Sequence, residues 1–151
     1  MKVLAAVDAA EQSNVPVEAL KSLKLEDGSE IKIVSVVDRI IPIVTDLYDG
    51  PLMDEAELEK KAGDHATKAL KVIGEVVEGF FTTENVTVST DVLFGSPDRC
   101  IVEAAEQMDS DLIIVGSHGY KAWERLLIGS VSDSVVHHAP CSVMVVRTKP
   151  E

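Results

Sequence analysis

The sequence predicts an α/β fold: a doubly wound, five-stranded parallel sheet in the order 3-2-1-4-5 with helices on both faces, Rossmann-like in plan. Three observations carry this. Short runs rich in Val, Ile and Leu alternate along the 151 residues with stretches of helical periodicity, the pattern of linked β-α-β units rather than of hairpins. The central runs are apolar throughout, as strands buried on both faces are. Right-handed crossovers then leave few ways to wind the sheet, and the common order reverses its winding between the first and fourth strands.

Strands are expected at Val3 to Val7, Ile31 to Val37, Val86 to Phe94, Leu112 to Val115 and Val143 to Val146. The first helix is expected from about Ser13, with Pro16 tolerated in its first turn, Ala19, Leu20 and Leu23 facing inward, and Asp27-Gly28 as its stop. The second runs from about Asp54 to Phe81, its stripe formed by Leu58, Ala62, Ala66, Ala69, Ile73, Val76 and Phe80. Gly63, Gly74 and Gly79 interrupt its helical propensity. In the third, Ser96 is the expected N-cap and Pro97 the first helical residue, with Ile101, Val102, Ala105 and Met108 on one face. The fourth spans Ser130 to His138 and ends before Pro140. Arg39 to Met53, with Pro42, Gly50 and Pro51, is long enough to act as a flap. No repeat, low-complexity tract or linker interrupts the chain, so one domain over residues 1–151 is expected.

Two glycine motifs point to a site. Val115-Gly116-Ser117-His118-Gly119 follows the fourth strand, and after nine further residues Gly129-Ser130-Val131-Ser132 opens the fourth helix. Glycine lets the backbone approach a ligand closely, Ser130 stands where an N-cap hydroxyl is expected, and first-turn N–H groups hold phosphate oxygens. Asp8 ends the first strand. In the expected strand order Asp8 and Gly116 meet where the winding reverses, which is where ligands bind in such sheets. The two features converge on one crevice, and a small nucleotide is its expected occupant.

Composition narrows the choice. A net charge of −12 argues against nucleic acid as a partner, because that affinity needs clustered Lys and Arg. It leaves a small nucleotide open, since backbone N–H groups act at contact distance. No apolar run approaches the roughly 18 residues of a membrane span, and Asp8 comes too early for a secretory apolar segment, so a cytoplasmic protein is expected. Cys100 and Cys141 have no metal-ligand spacing and read as buried reduced thiols.

The chain resembles the universal stress protein (UspA) family, in particular its ATP-binding subgroup. Gly116, Gly119, Gly129 and Ser130 fill every defined place of that subgroup's G-x-x-G, nine residues, G-[ST] motif, and residues Arg125 to Ser132 and His138 to Arg147 are similar to its closing signature. The front departs from the pattern: Val7-Asp8-Ala9-Ala10 stands for Val-Asp-Gly-Ser, and Ser35 occupies a place where histidine is common. The resemblance implies an adenine nucleotide alpha hydrolase-like fold that binds ATP or AMP, with or without Mg²⁺. Asp8 would bond the adenosine portion and main-chain atoms of Val36 would read the adenine edge. Val115, Gly116, Ser117, Gly119, Gly129, Ser130, Val131 and Ser132 would line the ribose and phosphates. It also implies a homodimer through Val143 to Arg147, an apolar strand expected at the sheet edge.

Other residues are assigned humbler roles. Lys121 and Arg125 suit surface ion pairs, Trp123 packing, and His118 an ordinary loop position. His137 and His138 diverge by about 100° on their helix, which suits a cation-favouring C-terminus rather than bidentate metal binding. Fast phosphoryl transfer needs a basic clamp, metal-holding carboxylates and a nucleophile-orienting group. The sequence has no G-x-x-x-x-G-K-[ST] loop. A sensor or switch with slow or no hydrolysis is expected, with no catalytic residues and no protein metal site; the alternatives are a dimeric interaction protein of the same fold that binds no nucleotide, or a slow ATPase.

Overall fold

A computed structural model describes residues 1–9, 15–38, 54–82, 85–117 and 129–147. Within them run β1 (Lys2–Ala6), α1 (Val15–Lys21), β2 (Glu30–Val37), α2 (Glu55–Glu78), β3 (Thr87–Phe94), α3 (Pro97–Met108), β4 (Leu112–Gly116), α4 (Ser130–His138) and β5 (Ser142–Val146). The strands form one parallel sheet in the order β3-β2-β1-β4-β5, as the sequence predicts. Ala6 of the central strand faces Val34 on one side and Val115 on the other.

Alternation along the inner strands sorts two cores. Val3, Ala5, Ile31, Ile33, Leu112 and Ile114 pack against Val17 and Leu20 of α1 and Leu70 and Val77 of α2. Leu4, Val34, Ile113 and Val115 pack against Ile101, Ala104 and Ala105 of α3 and Val135 of α4. Strand residues serve opposite faces in turn, which is why inner runs are apolar at every position. The α3 face of β2 and β3 is polar toward their starts, where Glu30, Thr87 and Ser89 are exposed and Lys32 pairs with Asp91 at 3.2 Å.

Three elements differ from expectation in detail. α1 ends at Lys21, where the Ser22 hydroxyl donates to the Ala19 carbonyl at 2.7 Å. Asp27-Gly28 instead forms a separate turn before β2, held by Gly28 N–H to Asn85 O and Asn85 N–H to Asp27 Oδ1. Its predicted start at Ser13 lies outside the described residues, as does the expected flap from Arg39 to Met53. In α2 the buried line is Gly63, Ala66, Leu70, Gly74 and Val77, about one residue on from the predicted stripe, and Val76 is 48% exposed. The helix lies so close to β3 that a Cβ at Gly63 would stand 2.8 Å from Phe94 Cζ, and one at Gly74 would stand 3.0 Å from Thr90 Cγ2. Close approach selected glycine on the buried face. Finally, α4 has Gly129 as its N-cap, and Ser130 is its first helical residue.

Candidate functional site

The site is built where β1 and β4 end side by side. α1, which follows β1, covers one face of the sheet, and α4, which follows β4, covers the other. Their divergence leaves a cavity of about 300 Å³ at the carboxyl ends of the strands. Asp8, Val36, Val115, Gly116, Ser117, Gly129, Ser130, Val131 and Ser132 all line it. Gly119, and with it His118, Lys121, Trp123 and Arg125, lies outside the described residues.

The cradle is held by main-chain bonds. Ser117 N–H donates to Val146 O at 2.8 Å, and Ser117 O accepts from Gly129 N–H at 2.9 Å. The Ser132 hydroxyl turns back to Gly129 O at 2.9 Å, and Ser117 and Ser132 are both 2% exposed. Among the described residues no side chain caps α4, and the first-turn N–H groups of Ser130, Val131 and Ser132 have no partner within the helix, as in any helix start. A Cβ at Gly116 would meet nothing nearer than Pro16 Cγ at 3.9 Å, so a side chain there would occupy the cavity.

The opposite end is framed by β2. Val34 O accepts from Val7 N–H on the β1 side, and Val37 O accepts from Gly95 N–H on the β3 side. Successive residues of an extended strand turn their peptide groups to opposite neighbours, so those of Val36 face the β1 side, beyond its last paired residue. Ala6, Val34, Pro97, Ile101 and Val146 also line the cavity and were not anticipated. Pro97 and Ile101 lie in the first turns of α3, and the predicted strand order alone does not find them, because their place depends on where that helix settles over the sheet.

Two charge features surround this frame. Asp8 is the one ionisable side chain on the described lining. Behind the wall, Asp98 accepts from the Ser96 hydroxyl at 2.6 Å and from the Ser134 hydroxyl at 2.7 Å, tying the start of α3 to α4. These bonds, Ser96's first, hold the Asp98 carboxyl down at about 2. Ser96 is the N-cap of α3 in backbone geometry, but its hydroxyl serves Asp98 instead of a helix N–H.

The remaining candidates lie elsewhere. Cys100 and Cys141 are free and half-buried, and burial raises both thiols. His137 and His138 each set Nδ1 2.8 Å from the carbonyl four residues back, Asp133 and Ser134, as at a helix end. Among the described residues no cluster of His, Cys, Asp or Glu is arranged to hold a metal ion, and no helix is long and apolar enough to cross a membrane.

Known proteins share this plan. Residues 1–147 match the model of the universal stress protein family. The Staphylococcus haemolyticus protein SH1215, named for that family, is 32% identical over 149 residues, which cover 97% of this chain and 84% of the relative. The structure of MJ0577, a protein whose biochemical function was assigned from its structure, has a TM-score of 0.80 at 27% identity and covers 99% of this chain and 97% of that one. A universal stress protein family protein from Arabidopsis thaliana with AMP bound has the same fold, with a TM-score of 0.62 at 19% identity over 99% of this chain and 92% of that one. By this match over nearly its whole length, the chain belongs to the universal stress protein family.

Proposed function

We propose that the protein binds an adenine nucleotide, ATP or AMP, at the carboxyl ends of β1 and β4 and acts as a nucleotide-dependent sensor or switch in the stress response, with hydrolysis slow or absent. One observation carries this reading. Nine residues picked out by sequence, scattered from Asp8 to Ser132, line a single cavity. A relative of the same fold with AMP bound supports it.

The residues suit such a ligand. Val36 presents an N–H beside a C=O, which complements the acceptor nitrogen and amino donor of adenine and mismatches the oxo group of guanine. Pro97 and Ile101 offer apolar contact for a base. The open side of Gly116 and the first turn of α4 give phosphates backbone donors and close approach. On the described lining no Lys or Arg stands ready to clamp a transferring phosphoryl group. Among the described residues β5 pairs only with β4, and we assign it as the surface through which two copies form a homodimer.

Calorimetric titration of nucleotide-stripped protein with ATP, AMP and GTP tests the reading. Each is run with and without Mg²⁺, because a divalent ion offsets phosphate charge beside Asp8. Micromolar binding of ATP or AMP, about −8 kcal/mol, with GTP at least about tenfold weaker, is expected. No heat and no competition from any nucleotide would overturn it.

A further inference from the structure

The turn after β1 carries Asp8 into the cavity, and its next residue is anchored from an unexpected place. Ala9 N–H donates to the Ser35 hydroxyl at 3.2 Å, across 26 positions of chain. Ser35 lies on β2 and is only 4% exposed. By alternation it shares a face with Ile31 and Ile33, both in the core under α1 and α2. A buried hydroxyl costs free energy unless it is bonded, so packing alone gives no reason for one at this position. The last main-chain bond between the two strands is Val7 N–H to Val34 O. The Ser35 side chain thus adds one more link beyond the end of the ladder, and the residues on either side of that link, Asp8 and Val36, line the cavity.

We propose that Ser35 is a positioning residue for the nucleoside end of the site, setting the distance between the Asp8 turn and the peptide groups of Val36. The inference rests on the nucleotide reading above. Ser35 acts through Ala9, and its effect falls on the part of the ligand common to adenosine, AMP and ATP. The phosphate end, built by Gly116 and α4, is outside its reach.

The test titrates the stripped full chain with adenosine, AMP and ATP and compares Ser35→Ala and Ser35→Thr with the parent. Ser35→Ala is expected to weaken all three by one common factor, about threefold to tenfold, the worth of one neutral hydrogen bond. The ATP-to-AMP ratio stays at the parent value, and Ser35→Thr, which keeps a hydroxyl, restores binding. The double variant with Asp8→Asn loses less than the two single losses combined, a coupling that a purely structural residue would not show. Ala9→Pro removes the donor and repeats the loss should Ser35→Ala fail to fold. Parent-like affinity in Ser35→Ala, a loss confined to ATP, or additive losses would overturn the inference and leave nucleotide binding standing. A parent that binds none of the three ligands would overturn both.

Discussion

A methyl group added at Gly116 projects into open cavity, whereas one added at Gly129 stands 3.0 Å from the Ser117 carbonyl oxygen. Gly116→Val is therefore expected to abolish nucleotide binding while stability stays within about 1 kcal/mol of the parent. Gly129→Val is expected to lose binding and also about 1–3 kcal/mol, because the N-cap must shift off Ser117. Titration paired with thermal melts separates the two. Asp98 makes a different prediction. Its folded value of about 2 lies below the ordinary 3.8, so its contribution is fully present above pH 4 and is lost as pH falls toward 2. The carboxylate is partly exposed, and solvent screening holds the effect to about 1 kcal/mol. The melting temperatures of the parent and Asp98→Ala should converge as pH falls from 4 through 2, and a difference at pH 2 as large as that at pH 5 would contradict this account. At this scale the sequence was legible where chemistry is local: Asp8 and Gly116 announce themselves at strand ends. The Ser35 to Ala9 link was not, because two departures from the family pattern, 26 positions apart, have no visible relation until the sheet brings them together.

Among the elements, α2 teaches most. Its length and amphipathic character follow from sequence, but its buried face runs through Gly63 and Gly74. Hydrophobicity ranks glycine as no face at all, while distance to the sheet makes it the residue that fits. Gly74→Val is expected to destabilise by about 1–3 kcal/mol, since Thr90 Cγ2 already lies 3.0 Å from a Cβ there. Denaturant melts read this directly, and an unchanged midpoint would mean that α2 can lift off β3 without cost. Gly79 belongs to another class, closing the helix as its C-cap with its N–H on Glu75 O, while the N–H of Phe80 after it bonds Val77 O. At α4 the misplacement of the cap by one residue has a similar origin. Serine is the stronger capping residue by preference, but Gly129 holds that place, with its N–H on Ser117 O and its C=O accepting from Asp133 N–H.

For the whole molecule, strand order was the best-determined expectation, because apolar inner runs, β-α alternation and crossover handedness all demand the same winding. The apolar walls from α3 stayed hidden, as they depend on where that helix settles over β1 and β2. The proposed dimer makes a prediction at this scale: light scattering should give about 33 kDa, twice the chain's 16.3 kDa. With a net charge of −12 on each copy, added salt should strengthen the association by screening repulsion, and a monomer at tens of micromolar would count against it. Ser117 gives this assembly a further property. One residue holds the N-cap of α4 by its carbonyl and the last residue of the edge strand by its N–H. The mouth of the cavity and the rim of the sheet thus share one peptide as a common fastening, so Ser117 cannot move away from one without lengthening a hydrogen bond to the other.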